Sequence, residues 1–345
     1  MTVQTETDDA AESSGPRVVA SPTTGEAVPL FSRAWFAGIA LRYSMVIIIL
    51  LVIAYFSYRS ARFSTVDNLV TILVAAAPFA LIALGQTLVV LTGGIDLSVG
   101  SVIAVSAMAA AATAKANPGQ VWMTVLVAMV VGLAVGAVNG ILVSRINVPP
   151  FIATLGTLTA GSGLAYVIGG GAPINGLPAE FGSIANTKIF GLQIPVLVMI
   201  VGIIVLGAVM RSTTYGMRIY AVGGNRNAAV AIGINPVRTK TVAFALAGFM
   251  AAFSGVVAAS RVGSIQPGGG LGMELQTIAA CVIGGFALTG GRGSILGIVL
   301  GTALVFTIQD VLLLLRAPAF YFDMFVGALI VLAVVMNTAV RRVRG

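Results

Sequence analysis

Apolar residues dominate the chain in long runs that are separated by short polar or glycine-rich segments. Most of these runs are close to the roughly 20 residues that a helix needs to cross a bilayer. They lie near residues 44–58, 68–92, 98–116, 121–143, 148–170, 194–210, 240–260, 273–291, 295–315 and 322–340. The pattern predicts an all-α, polytopic integral membrane protein with about ten transmembrane helices.

Composition supports this prediction and restricts the chemistry that the chain can perform. Hydrophobic residues make up 58% and charged residues 9% of the chain, and the mean hydropathy is +1.04. A soluble domain has about 25% charged residues, so a water-soluble fold is excluded. The chain has no histidine, and its single cysteine, Cys281, lies in an apolar run. These residues supply little for acid–base or metal catalysis, which argues against a membrane enzyme.

The first 33 residues differ from the rest of the chain. They combine acidic residues with Ser, Thr, Gly and Pro and lack the apolar core of a signal peptide. We expect a disordered tail that stays in the cytoplasm, either as a solvated leader or as a regulatory contact. Residues 34–345 are expected to form one transmembrane domain.

Basic residues predict the orientation. An even number of crossings puts both termini on one side, and cytoplasmic termini place thirteen of the nineteen Lys and Arg residues inside. The inside set is Arg17, Arg33, Arg42, Arg145, Arg211, Arg218, Arg226, Arg238, Lys240, Arg292, Arg341, Arg342 and Arg344. This bias follows the positive-inside rule. It also explains the net charge of +8 without nucleic acid.

Two connections are longer than turns. Residues 171–193 face outward and are rich in Gly, Pro and Asn. They are expected to form a lid, a docking surface for an extracytoplasmic partner, or a passive connector. Residues 211–238 form the long cytoplasmic loop.

Glycine spacing predicts close helix packing. Gly132, Gly136 and Gly140 recur at every fourth position, and Gly297 and Gly301 repeat the spacing. Small residues at this spacing let helix backbones approach closely, within one bundle or between two copies.

Residues 91–100 interrupt two apolar runs with glycines, Asp96 and Ser98. Irregular backbone at membrane depth is tolerated where it is buried in protein or lines a wet cavity, so this segment is a candidate border of a translocation path. The alternative is that Asp96 or Ser98 caps the next helix. The tetrapeptide Leu-Thr-Gly-Gly at 91–94 returns at 288–291, which suggests an internal duplication.

Polar side chains within the apolar runs are few and are expensive in lipid. We expect them to face the bundle interior, where they would suit the hydroxyls of a sugar or bond neighbouring helices. The candidate path residues are Gln86, Asp96, Ser98, Asn139, Gln276, Gln309 and Asp310. Glu274 and Asp323 are instead expected to interact with helix N-termini.

The source of energy must lie outside this chain or in a gradient. No phosphate-binding loop of the Gly-x-x-x-x-Gly-Lys-Ser/Thr type occurs, so the chain cannot hydrolyse ATP by itself. The cytoplasmic loop predicts a short helix that starts after Asn225, stops at Gly233 and cannot continue past Pro236. A small-residue helix in this position suits insertion into a groove on another protein.

Two motifs carry a resemblance to a known family. Residues 93–100 read Gly-Gly-Ile-Asp-Leu-Ser-Val-Gly, and residues 224–234 follow the pattern Gly-Asn-x-x-Ala-Ala-x-x-x-Gly-Ile, with Lys240, Phe244 and Gly248 beyond. The chain resembles, from about residue 40 onward, the permeases of ribose, xylose and galactose type ABC importers.

The resemblance implies a multi-pass permease of the bacterial plasma membrane that imports a monosaccharide or a similar small polar solute. Its expected partners are a second permease copy in a homodimer, a cytoplasmic ABC ATPase and an extracytoplasmic solute-binding protein. ATP and Mg²⁺ would bind the ATPase, and no cofactor is expected here. The residues implied in ATPase coupling are Arg218, Gly224, Asn225, Arg226, Ala228, Ala229, Gly233 and Ile234.

An ion-gradient-driven secondary transporter is the alternative. Such a protein normally needs a buried ionisable coupling residue. Asp96 and Asp310 are the candidates for that role.

Overall fold

The structure, a computed structural model, describes residues 47, 49–318, 320–329 and 331, which are almost entirely helical. The helices are α1 (Ile49–Arg59), α2 (Val66–Leu91), α3 (Val99–Ala116), α4 (Val121–Ser144), α5 (Pro150–Ile168), α6 (Ala179–Asn186), α7 (Ile194–Ser212), α8 (Thr214–Gly224), α9 (Arg226–Ala231), α10 (Pro236–Val262), α11 (Met273–Ile283), α12 (Ile295–Leu314) and α13 (Phe320–Leu329). The two-residue strands are β1 (Ile174–Asn175), β2 (Lys188–Ile189), β3 (Leu192–Gln193) and β4 (Ser264–Ile265). The predicted tail at 1–33 lies outside the described residues.

Ten of the described helices coincide with the ten predicted apolar runs. Seven of them, α2, α3, α4, α5, α7, α10 and α12, are long and apolar enough to cross a bilayer, whereas α1, α11 and α13 are shorter. The N-terminal part of the first run and the C-terminal part of the last run lie outside the described residues. The prediction of an all-α, polytopic membrane protein is confirmed.

The run predicted at 273–291 is not one continuous helix. α11 ends at Ile283, and Gly285 follows with a φ of +82°. The amides of Gly285 and Phe286 bond the carbonyls of Val282 and Cys281, at 3.0 Å each, which is the pattern of a glycine-closed helix end. The prediction of a single span was wrong here because glycine reads as apolar in a hydropathy pattern but ends a helix.

α10 is the central helix of the bundle and packs against α2, α3 and α4. Gly132, Gly136 and Gly140 lie on the face of α4 that meets α10, and a Cβ atom on any of them would overlap α10 backbone. Gly297 and Gly301 bring α12 equally close to α11. The prediction of close packing through these glycines is confirmed, and in both cases the contact lies within the bundle.

Residues 171–193 form a folded cap on one end of the bundle. β1 pairs antiparallel with β4, and β2 pairs with β3 in a short hairpin. The Ser260 hydroxyl of α10 donates to the carbonyl of Phe181 at 2.7 Å and accepts from the amide of Ala185 at 3.0 Å. These bonds and the buried Phe181 ring fix α6 on α10. The segment is therefore more ordered than a passive connector.

The turns predicted for opposite sides of the membrane group at opposite ends of the bundle. At the predicted outer end, Lys115 Nζ donates to the carbonyl of Asn175 at 2.9 Å, and Leu177 bonds Gly263. At the predicted cytoplasmic end, the amide of Gly291 bonds the carbonyl of Leu91 at 2.9 Å. This grouping agrees with the alternation of crossings on which the predicted orientation depends.

Candidate functional site

The predicted cytoplasmic end carries two short helices that we call the docking element, residues 213–234. α8 starts after Thr213, whose hydroxyl accepts from the amide of Gly216 at 3.3 Å. α9 starts after Asn225, whose Oδ1 accepts from the amide of Ala228 at 3.0 Å. Gly233, with a φ of +81°, follows α9. The predicted short helix, its cap and its stop are confirmed.

Two further features of this segment were not predicted. Pro236 does not merely end the preceding helix, because it is the first residue of α10, and Asn235 caps that helix by accepting from the amide of Arg238 at 3.0 Å. Proline suits this position because the first helical amide needs no partner within the helix. α8 was interpreted as loop, although Ile219 and Val222, which are buried, carry a helical spacing that could have revealed it.

The eight predicted coupling residues divide by exposure. Ala229 is buried and Ile234 is half-buried, so both hold α9 in place. The exposed members are Arg218, Gly224, Asn225, Arg226, Ala228 and Gly233. The docking element also exposes three apolar side chains that were not predicted, Met217, Val230 and Ile232. Their size and their position in a segment predicted to be cytoplasmic are the signal that could have identified them.

Two tyrosines attach α8 to the bundle. The Tyr220 hydroxyl donates to the carbonyl of Gly293 at 3.0 Å, and the Tyr215 hydroxyl lies 3.5 Å from the carbonyl of Thr239. Burial raises the pKa of both phenols above their ordinary value. Both groups therefore keep their protons at physiological pH and remain hydrogen-bond donors.

The two Leu-Thr-Gly-Gly segments meet beneath α8. The first closes α2, with the amides of Gly93 and Gly94 bonding carbonyls of its last turn. The second joins α11 to α12, and its Gly291 amide bonds the carbonyl of Leu91 in the first segment at 2.9 Å. Each is followed by a serine at the start of the next helix, Ser98 or Ser294. The internal duplication stays a hypothesis, to which this contact adds a spatial relation.

Behind this contact lies an inner polar cluster formed by Gln86, Asp96, Ser98, Asn139 and Thr157. Asp96 Oδ1 accepts from the amide of Ser98 at 2.8 Å and from its hydroxyl at 2.6 Å. Asn139 Nδ2 donates to the Ser98 hydroxyl at 2.8 Å, and the Thr157 hydroxyl donates to Asn139 Oδ1 at 2.5 Å. The cluster thus joins the turn before α3 to α4 and α5.

The cap interpretation finds a counterpart in this geometry at Asp96, whereas the translocation-path interpretation stays a prediction. Asp96 bonds a backbone amide at the start of α3, as a cap would, whereas the Ser98 side chain caps nothing and links Asp96 to Asn139. Gln86 Nε2 lies 3.3 Å from the carbonyl of Asp96, and Gln86 Oε1 is buried without a hydrogen-bond partner. The four predicted path residues in this cluster are at most 1% exposed. These four side chains are closed to solvent in this conformation, whereas Thr157 is half-buried.

Two other predicted path residues lie at the opposite end of the bundle. Asp310 Oδ2 accepts from Asn68 Nδ2 at 2.8 Å, beside an outer vestibule of about 490 Å³. The vestibule is lined by Arg62, Thr65, Asp67, Asn68, Thr71, Asp310, Leu313, Leu314 and Arg316. Its volume falls within the range of ligand-binding clefts, about 300–1,000 Å³. Gln309 is exposed and lines a neighbouring cleft of about 330 Å³, while Gln276 is half-buried on α11.

The structure therefore separates the seven predicted path residues into an inner group, an outer group and an isolated glutamine. Sequence reasoning missed Thr157, Asn68 and the charged residues around Asp310. Thr157 was hidden because threonine was not counted as polar within an apolar run. Asn68 sits at the edge of such a run, where a polar residue attracts little attention. Among the described residues, no group of His, Cys, Asp or Glu is arranged to hold a metal ion.

Comparison with known proteins shows similarity over most of the chain. A family model described as branched-chain amino acid transport system / permease component matches residues 68–334. The ribose import permease protein RbsC of Bacillus subtilis is 34% identical over 88% of this chain and 95% of its own length, and RbsC of Escherichia coli K12 is 36% identical over 89% and 95%. The autoinducer 2 import system permease protein LsrC of Yersinia enterocolitica is 39% identical over 74% and 71%. No solved structure matches the chain.

Proposed function

Because this chain belongs to the family of branched-chain amino acid transport system permease components, we propose that it carries a monosaccharide or a similar small polar solute into the bacterial cytoplasm, driven by a partner ATPase. The family assignment identifies the chain as a multi-pass permease component of an ABC importer and not as an enzyme. An importer of this kind operates with an ATPase, which binds ATP and Mg²⁺, and with a solute-binding protein. The assignment replaces the alternative of an ion-gradient-driven transporter.

The observation that carries the ATP-driven proposal is the exposed surface of the docking element. α9 is capped at both ends by local hydrogen bonds, so it holds its shape without a partner. Val230 and Ile232 present large apolar side chains beside the exposed Arg226. An apolar helix face in a polar rim fits a groove on a soluble protein, and in this proposal that protein is the cytoplasmic ATPase.

The proposed solute class rests on two further observations. Each of the two relatives named for ribose matches almost 90% of this chain, and a relative named for autoinducer 2 matches about three quarters of it. The outer vestibule contains the Asn68 amide and the Asp310 carboxylate side by side. Such groups suit solute hydroxyls, so we propose the vestibule as the site where the binding protein delivers the solute.

The proposed transport cycle uses movement of the docking element. Closure of two ATPase domains on ATP would displace the two docking elements of a permease homodimer. The inner polar cluster, closed here, would open in the state that releases the solute to the cytoplasm. Two states of this kind are required because a ligand drives a conformational change only through different affinities for each state.

Reconstitution in proteoliposomes tests the proposal. The permease is combined with its ATPase and its solute-binding protein, and uptake of labelled ribose and labelled leucine is measured with and without ATP. We expect ATP-dependent uptake of ribose or a related pentose that an ionophore does not abolish. Uptake without the ATPase that collapses with an ionophore would overturn the ATP-driven proposal, and uptake of leucine alone would overturn the proposed solute class.

A further inference from the structure

Five residues from three separate parts of the chain meet by their backbones at the predicted cytoplasmic end, and we call them the glycine junction. They are Leu91 at the end of α2, Gly93 after that helix, Gly290 and Gly291 before α12, and Gly223 near the end of α8. Gly291 bonds the carbonyl of Leu91 at 2.9 Å. The junction therefore connects the docking element with both Leu-Thr-Gly-Gly segments.

The junction leaves no room for side chains. A Cβ atom on Gly223 would overlap the carbonyl oxygen of Leu91 and lie 2.6 Å from the amide nitrogen of Gly291. A Cβ on Gly290 would lie 2.7 Å from the amide nitrogen of Gly93 and 3.0 Å from the carbonyl oxygen of Gly223. Real Cβ atoms essentially never come within 3.0 Å of such atoms. The three backbones are in direct contact because Gly93, Gly223, Gly290 and Gly291 carry no side chain there.

We propose that Gly223 is the positioning residue through which the docking element moves the two Leu-Thr-Gly-Gly segments during transport. This inference rests on the proposed function. Backbone contact suits the task, because packed backbones without flexible side chains between them transmit a displacement without absorbing it.

α8 has a second attachment to the segment before α12, so the two should move together. The Tyr220 hydroxyl bonds the carbonyl of Gly293, and Tyr220 precedes Gly223 by about one helical turn. α8 therefore holds the segment before α12 at two points, at Gly291 and at Gly293. A tilt of α8 would then move the entry of α12 together with the end of α2.

The far side of each segment leads to a polar group. The first segment runs through Asp96 and Ser98 into the inner polar cluster, which bonds α4 and α5. The second leads into α12, whose other end carries Asp310 at the outer vestibule. Displacement of the junction would thus act on the inner cluster and on the helix that borders the vestibule.

The test compares Gly223→Ala with Gly207→Ala in the full complex of permease, ATPase and binding protein in proteoliposomes. A Cβ at Gly207, in α7, meets only the Ile295 side chain at 3.9 Å, so this variant is a matched control. The readouts are the amount of ATPase that co-purifies and the number of ATP molecules hydrolysed for each solute transported. We expect Gly223→Ala to bind the ATPase and to transport at least tenfold less solute for each ATP, and we expect Gly207→Ala to match the wild type.

A Gly223→Ala complex that transports as much solute for each ATP as the wild type would overturn the inference. If this variant does not assemble, Tyr220→Phe decides, because it removes one hydrogen bond and introduces no overlap. We expect Tyr220→Phe to reduce solute transported for each ATP severalfold, and an unchanged ratio would overturn the inference. Failure of the proposed function is distinguishable, because the wild-type complex itself would then transport without the ATPase.

Discussion

Asn139 and Ser98 are separated by 41 positions in the chain, yet Asn139 Nδ2 donates to the Ser98 hydroxyl at 2.8 Å. Both residues are fully buried. Because Asn139 also accepts from Thr157, one amide joins α4 to the turn before α3 and to α5. Polar groups bonded to each other inside an apolar bundle specify which helices are neighbours, in addition to the packing of small residues.

Replacement of Asn139 by alanine should lower the stability of the bundle. The change removes the amide that donates to the buried Ser98 hydroxyl and accepts from the half-buried Thr157 hydroxyl, and the loss of an internal hydrogen bond costs about 0.5–1.5 kcal/mol. Thermal unfolding in detergent is the measurement. Thr159→Ala is the control, because Thr159 is exposed and its hydroxyl bonds only its own helix. Equal melting temperatures for the two variants would contradict a structural role for the cluster.

The Asp310→Asn variant tests the outer vestibule. If the carboxylate contacts a solute hydroxyl, its loss removes a charge-assisted hydrogen bond of about 1.5 kcal/mol, which corresponds to roughly a tenfold rise in the solute concentration for half-maximal uptake. Asp323→Asn is the matched control, since Asp323 is an exposed acid on α13. The measurement is ATP-dependent uptake over a range of solute concentrations. The same half-saturation value for both variants would exclude Asp310 from solute binding.

The positions and order of the described apolar helices could be predicted from the sequence because lipid selects long apolar runs. The start and stop of α9 could be predicted as well, since the Asn225 cap and the Gly233 stop act on the nearest residues. α11 was predicted too long because hydropathy does not register the glycines that close it. Helix ends could therefore be predicted where a cap or a glycine stop was read residue by residue, and not where only the average polarity of the run was used.

The grouping of the polar residues could not be predicted. Asn68 and Asp310 bond each other across 242 positions, and nothing local to either residue reveals the other. The sequence pattern therefore placed Asp96 and Asp310 on one path, although they lie at opposite ends of the bundle. The glycine junction was equally hidden. The repeated tetrapeptide was visible in the chain, but its contact with Gly223 depends on how α8 folds back.

Replacement of Ala228 by glutamate should prevent ATPase association without unfolding the docking element. Ala228 is exposed and is the third residue of α9, where a glutamate favours helix formation beside an Asn cap. The new charge would enter the proposed apolar contact, where an unpaired charge is costly. Co-purification of the ATPase with the permease is the measurement, and we expect at least a tenfold loss.

Two further variants make the Ala228→Glu result interpretable. Ala179→Glu adds the same charge at the exposed first residue of α6, at the predicted outer end, and should leave ATPase binding unchanged. Ala229→Glu places the charge at a buried position and should also lower the melting temperature. Normal ATPase recovery with Ala228→Glu would show that the ATPase binds elsewhere.

Replacement of Gly136 by alanine should destabilise the bundle at its central contact. A Cβ at this position overlaps the backbone carbonyl of Phe244 in α10, and neither helix can yield without disturbing the other neighbours of α10. Forcing an extra methyl group into a well-packed interior costs about 1–3 kcal/mol. Gly163→Ala on α5 is the matched control, because its Cβ meets nothing within 4 Å and alanine favours the helix. Thermal unfolding should therefore show a lower melting temperature for Gly136→Ala and an equal or higher one for Gly163→Ala, and the reverse order would mean that α4 and α10 are not held together by this close approach.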